Sequence, residues 1–211
     1  GPHMTLATVS QPPVRSTGPR AGRWRFSVDD YLQLHERGII PEGVRTELIE
    51  GEIRVMSPMG TPHISSTMRL NKLFAQQVGD RAEVLCQMDV VFGEHTLFLP
   101  DIALLRPEPT GYLDHRPEAA DVMLIVEVAH SSLRYDRRRK LPIYARFGVP
   151  EVWIAALGEQ VLDVYRQPED GRYMDATVRT PSEVVAPLAL PDIVIEVGDV
   201  LRSEFWGQRR R

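Results

Sequence analysis

The sequence predicts an α/β or α+β layer fold, a mixed central sheet flanked by helices, and two observations carry that prediction. Apolar residues run at strand spacing through 83–92, 97–105 and 122–128 and at helical spacing on either side, so the elements alternate as helix, three strands, helix, strand. The length of 211 residues suits one compact domain with short extensions and a real apolar core, and leaves little room for two. The pattern leaves the strand order open.

Taken in order, Ser27 is an N-cap with Asp30 as its acidic partner, and Gly38 closes a helix carrying Tyr31, Leu32 and Leu34. Residues 45–49 and 53–56 alternate around Glu50 and Gly51, the signature of a tight hairpin, and Pro58 and Gly60 end it. Thr61 reads as an N-cap before Pro62 at the first helical position. Ile64, Met68, Leu70 or Asn71, Leu73, Phe74 and Val78 then recur at helical spacing up to Gly79. The three strand runs follow, the first two joined by Gly93, Glu94 and His95, and all three are expected in one sheet. Between the second and third, residues 106–120 are rich in Pro, Glu and Gly and read as a surface excursion. Residues 133–147 form a basic amphipathic helix ending at Gly148, which Pro142 should bend. Strands are expected at 151–156 and 161–165, short strand segments after Gly171, and a last helix over 200–206.

Composition narrows the function classes. The apolar stretches are far shorter than the roughly twenty residues that span a bilayer, and the single cysteine, Cys86, can form no internal disulfide, so cytoplasm is the expected location. Gly1, Pro2 and His3 read as a tag remnant before Met4, and residues 1–23 as a flexible arm. One domain is expected over 24–207 and a basic tail over 208–211. The net charge of −4 means that any polyanion must be met by local patches, of which residues 134–140 are the clearest, with Arg134, Arg137 and Arg138 as candidate nucleic-acid contacts.

Two carboxylates stand out because each interrupts an apolar strand run: Asp101, after Pro100, and Glu127, between Val126 and Val128. A charge placed there needs a cation, a metal or a proton. On strands of one sheet the two can share a Mg²⁺ or Mn²⁺ ion, which keeps waters as nucleophiles and room for a phosphate. The alternative for each is a structural ion pair with arginine. Lys140, on the helix that leaves the Glu127 strand, can supply an ammonium beside a metal-bound water, or else pair on the surface with Asp136 one turn away. Trp153 and Trp206 read as core, and Gln87 is a weak site candidate.

The ordered series Glu47-Leu48-Ile49-Glu50-Gly51-Glu52-Ile53, His63, Pro100-Asp101-Ile102-Ala103, Val126-Glu127-Val128, Ser131-Ser132, Asp136-Arg137-x-x-Lys140, Tyr144 and Gly148-Val149-Pro150-Glu151-Val152-Trp153 resembles the Uma-two family, restriction-type endonucleases of the PD-(D/E)XK superfamily. The likeness runs over about residues 26–206. It implies a restriction-endonuclease-like core in which Asp101 and Glu127 are metal ligands, joined by the Val128 backbone carbonyl. Glu47 matches the upstream acid, with cross-strand pairing in the hairpin as its alternative. The superfamily's lysine two residues after the second acid is replaced by Ala129, and Lys140 supplies the equivalent amine from the following helix. His63 is then a candidate phosphate or water contact, or a structural histidine at a helix start. Asp136 and Tyr144, one turn either side of Lys140, are candidates for holding the amine.

The expectation is therefore a Mg²⁺-dependent endonuclease cutting DNA. The alternatives are a nucleic-acid-binding or assembly module without turnover on the same fold, and hydrolysis of RNA or another phosphate ester. A homodimer is expected by analogy with the superfamily.

Overall fold

The computed structural model describes residues 21–201. Most of the N-terminal arm, Trp206 and the basic tail lie outside the described residues.

Helix α1 (Val28–Glu36) starts at the expected cap: the Asp30 amide donates to Ser27 Oγ and the Ser27 amide donates to the Asp30 carboxylate. Strands β1 (Thr46–Ile49) and β2 (Glu52–Val55) form the hairpin, with Glu50 at φ 49° and Gly51 at φ 85°, the left-handed pair that a two-residue turn of this hand requires. Helix α2 (Thr61–Val78) includes Thr61 as its first residue, so Gly60 is the N-cap and no side chain caps the first turn. Thr61 is not the expected N-cap, because Pro62 lacks only an N–H that no residue of a first turn uses within the helix.

The next stretch corrects the expected three strands in one sheet. The runs 83–92 and 97–105 each break in the middle, giving β3 (Glu83–Cys86), β4 (Val90–Val91), β5 (Leu97–Phe98) and β6 (Ile102–Leu105). β3 and β6 pair in one sheet, whereas β4 and β5 pair in another. The cause is local. Pro100 has no N–H for a ladder, Gln87 takes φ 50°, and the Gln87 amide donates to both Pro100 O and Asp101 O at 3.0 and 3.3 Å. Both strands of the ribbon break at one level, and its outer half turns away to join β1.

Strand β7 (Val122–Ala129) leads into a composite helix: α3 (Leu133–Tyr135), a five-residue π turn (Asp136–Lys140) and α4 (Leu141–Arg146), closed by Gly148 at φ 74°. The bend expected at Pro142 takes this form. A proline ring would strike the carbonyl four residues back in a regular helix; the π turn, in which the Leu141 amide reaches Asp136 O, widens the helix just before it. Then come β8 (Glu151–Ala156), β9 (Val161–Glu169), β10 (Arg172–Arg179), β11 (Val184–Val185), β12 (Ile195–Glu196) and α5 (Val197–Leu201). β9 runs past the expected end at 165 and β10 is a full strand rather than short segments. The last helix begins three residues before the expected Val200.

The six-stranded sheet has the order β10-β9-β8-β7-β6-β3, parallel only between β7 and β8, so it is mixed as the sequence predicts. A second sheet runs β2-β1-β5-β4. Leu70, Phe74 and Val78 of α2 cover one face of the large sheet with Val200 of α5, over Val126 and Trp153. Ile143 and Tyr144 of α4 cover the other with Phe92 and Phe98, over Ile125 and Ile154. Side chains alternate along β7, so Glu127 shares the second face with Ile125 and Ala129 and points beneath the composite helix. Among the described residues no helix is long and apolar enough to cross a membrane.

Candidate active site

Ile102 pairs with Val126, so the antiparallel register brings Asp101 and Glu127 side by side where β6 begins. Both line a pocket of about 150 Å³ together with Glu47, His63 and Lys140. The pocket lies between the hairpin, the start of α2 and the composite helix.

Asp101 is held from three sides. Its Oδ2 accepts from the Val128 amide at 2.7 Å, and its Oδ1 lies 2.9 Å from His63 Nε2 and accepts from Gln87 Nε2 at 3.3 Å. Burial alone would raise its pKa. The His63 bond and charge, the Val128 amide and the Lys140 charge outweigh burial and hold the carboxyl below its ordinary value. Val128 thus serves the site through its N–H, the role expected of its carbonyl being a separate one.

Glu127 has the opposite balance. Burial pushes its pKa well above the usual carboxylate value, the Lys140 charge opposes this, and the Asp101 charge adds to it. Its Oε1 accepts from Lys140 Nζ at 3.1 Å and from the Tyr144 hydroxyl. Lys140 is only 3% exposed and its Nζ also donates to Glu47 Oε1 at 3.0 Å. Burial works against its charge, but Glu127, Glu47 and Asp136 together raise it well above an ordinary lysine, so it is an ammonium throughout the neutral range. The surface pairing of Lys140 with Asp136 does not occur: the amine is turned inward between two glutamates.

Glu47 is fully buried, and its Oε1 also accepts from the Leu99 amide at 3.0 Å, while Oε2 is buried with no partner. The hairpin therefore delivers it to the site rather than to a surface cross-strand pair. Tyr144 does not hold the amine as expected; its hydroxyl donates to Glu127. Asp136 supports the ammonium by its charge and makes no hydrogen bond to it; its Oδ2 accepts from Ser132 Oγ at 2.7 Å. Burial pushes Asp136 up to about 6 against the opposing Lys140 charge and Ser132 bond. His63, at the expected helix start, braces Asp101, and Gln87 does the same from the chain break at φ 50°.

Of the three arginines expected to meet nucleic acid, Arg134 and Arg138 are exposed with no acidic partner among the described residues. Arg137 is not available: Nε and Nη2 bind Asp163 at 2.8 and 2.7 Å, and Nη1 and Nη2 bind Glu159 at 3.2 and 2.9 Å. β9 supplies Asp163, a partner distant in sequence. Among the pocket residues that escape the sequence reading are two cations, Arg45 and Arg54 of the hairpin. The signal for Arg54 lies in the turn, because a two-residue loop at Glu50 and Gly51 sets Arg54 directly opposite Glu47.

Among the described residues no group of three or more His, Cys, Asp or Glu side chains is arranged to hold a metal. What the pocket does offer suits an ion that keeps most of its waters: two adjacent carboxylates, with Glu127 Oε2 taking no hydrogen bond and Glu47 Oε2 buried without a partner. Mg²⁺ is commonly held by one or two carboxylates together with substrate phosphate, and Mn²⁺ accepts the same donors.

A mixed sheet with flanking helices, two acids on adjacent strands and a lysine beside the second define a protein of the restriction-endonuclease-like fold. The chain belongs to the Uma-two family, whose model, described as "Putative restriction endonuclease", matches residues 28–198. A solved structure described as that of a putative nuclease belonging to DUF820 from Anabaena variabilis ATCC 29413 matches with a TM-score of 0.67 at 19% identity, over 84% of this chain and 98% of that one. That likeness carries the fold. No curated protein matches the chain.

Proposed function

We propose that the protein is a metal-dependent endonuclease hydrolysing DNA phosphodiester bonds, with Asp101 and Glu127 as ligands of Mg²⁺ or Mn²⁺. The observation that supports this most is the pairing of two register-adjacent carboxylates in one pocket with an ammonium locked against the second. Asp101 and Glu127 would hold the divalent ion, which when bound would supply positive charge for a phosphoryl oxygen and for activation of water.

The chain's own groups have separable tasks. The Val128 amide and His63 fix the Asp101 carboxylate, and the Tyr144 hydroxyl fixes one oxygen of Glu127 so that the other faces the pocket. Lys140 is no general base, because its two glutamate partners hold it protonated. It acts as a fixed charge, and the N–H not engaged by Glu47 or Glu127 remains for the attacking water or a phosphate oxygen. The second reading, a nucleic-acid-binding or assembly module without turnover, draws on Ala129 in place of the superfamily lysine and on the lack, among the described residues, of a three-residue metal group.

Cleavage of supercoiled plasmid with Mg²⁺, Mn²⁺ or EDTA, beside Glu127→Ala purified identically, separates these readings. Metal-dependent nicking by the native chain and its loss in the variant, by two orders of magnitude or so, is the expected result. Equal nicking by both exposes a contaminant, and no nicking by either favours the binding module. RNA competitors decide the nucleic acid, and sedimentation decides whether the protein is a homodimer.

A further inference from the structure

We infer that Arg45 and Arg54 form a phosphate-binding subsite on the hairpin wall of the pocket, holding a backbone phosphate adjacent to the one at the carboxylates. The identity of the ligand as nucleic acid rests on the nuclease reading; the anion site itself does not.

Both guanidiniums line the same pocket as Asp101 and Glu127. Their placement follows from strand geometry. Arg54 lies directly opposite Glu47, and the Met56 amide donates to Arg45 O at 2.8 Å, so Arg45 is the next residue of β1's pocket-facing side. Residues two apart on one strand and opposite each other on its partner share a face, which puts Arg45, Glu47 and Arg54 together.

Two cations on one face repel unless something negative lies between them. Glu47 offsets part of that repulsion by its charge, but it pairs with neither arginine: its Oε1 goes to Lys140 and the Leu99 amide. Among the described residues neither guanidinium has a carboxylate partner, in a chain whose net charge of −4 leaves acids to spare. Arg54 lies instead on the Tyr135 ring, its Cζ 3.3 Å from the ring centroid. The ring contact holds the guanidinium in place without using a carboxylate, and a guanidinium so held can receive a phosphate through two parallel hydrogen bonds. Tyr135 sits one residue before the π turn that carries Lys140, so the cation platform and the lysine share one helix.

The test is fluorescence anisotropy of a fluorescein-labelled DNA duplex of about twenty base pairs, titrated in EDTA over a range of KCl so that no cleavage intervenes. The native chain, Arg54→Ala, Arg45→Ala, Arg54→Lys and the charge-matched control Arg172→Ala, from the exposed start of β10, are compared after thermal unfolding confirms that each is folded. Arg54→Ala and Arg45→Ala are each expected to weaken binding about tenfold, and to flatten the plot of log K against log salt by about 0.9, one phosphate contact each. Arg54→Lys should recover the slope but not the full affinity, because an ammonium keeps the charge and loses the fork. The subsite is overturned if both alanine variants track Arg172→Ala, or if the native chain shows no salt-dependent binding. Loss of binding and slope in the arginine variants with no plasmid nicking by the native chain would keep the subsite and remove the nuclease.

Discussion

Glu127 and Glu151 lie on the two parallel strands of the large sheet, and both are carried almost wholly out of water. Glu151 has a partner on each oxygen: Arg166 Nε donates to its Oε2 at 2.6 Å and the Leu188 amide to its Oε1 at 2.8 Å, while Arg166 Nη2 is anchored on Ala186 O. Glu127 takes both of its hydrogen bonds on one oxygen, and it lines a pocket. Two carboxylates that look alike in sequence, each an acid among apolar strand residues, thus have different jobs. Burial marks neither as functional. The difference lies in whether the second oxygen has a partner and whether it meets a cavity.

The largest test of that difference removes the cation shared by the site. Lys140→Met leaves Glu47 and Glu127 facing each other without an ammonium between them, and breaking a buried ion pair from one side costs about 3–5 kcal/mol. Urea unfolding should show a loss of that order at pH 8. The loss should be smaller at pH 5, because a glutamate whose folded-state pKa is raised can take up a proton in place of the lysine. A loss independent of pH would mean that shape, not charge, holds this cluster.

Arg166→Met makes the same cut at the structural pair. Arg166 is partly exposed, its side chain at 22%, and Glu151 keeps the Leu188 amide, so the expected cost is smaller, about 2 kcal/mol. Plasmid nicking per folded molecule should be unchanged. A specific fall in nicking would show that Glu151 reaches the site through β8 and would dissolve the distinction between the two acids.

The parts of this arrangement that were legible in sequence are those written in neighbouring residues. Ser27 with Asp30, and Glu50 with Gly51, are caps and turns whose partners lie within a few positions, and β7 is legible because eight consecutive residues are buried on both faces. Asp101 and Glu127 were legible as charges out of place, whereas Lys140, in a basic run, stood out only by its helix after the Glu127 strand and by the family resemblance. What escaped depends on distant partners. The ribbon from β3 to β6 divides between two sheets because β1 captures its outer half, and nothing within 83–105 announces β1. β10 does alternate, with Met174, Ala176 and Val178 spaced by Asp175 and Thr177, but its apolar side is the exposed one, so the pattern gives no core face and the strand rests on β9 at the sheet edge. Arg137 looked like a free cation because Asp163 and Glu159 are more than twenty residues away in the chain.

The smallest effect concerns the stability that the site gives up. Asp136 is pushed by burial from 3.8 up to about 6, so between those two values the folded protein binds a proton that the unfolded chain has released. This contribution to stability is fully present below about pH 4, falls as pH rises towards 6, and is flat above. Asp136→Asn cannot ionise and escapes that fall, while its amide still accepts from Ser132. The variant should therefore gain on the native chain as pH rises from 4 to 7, by about 1 kcal/mol once the shared field of Lys140 is discounted. Paired urea titrations across that range measure it. A gain confined to the open cluster, beside a nicking rate that falls, would mean that the charges around Lys140 are kept for the reaction at the expense of the fold, whereas Glu151 and Arg166 serve the fold alone.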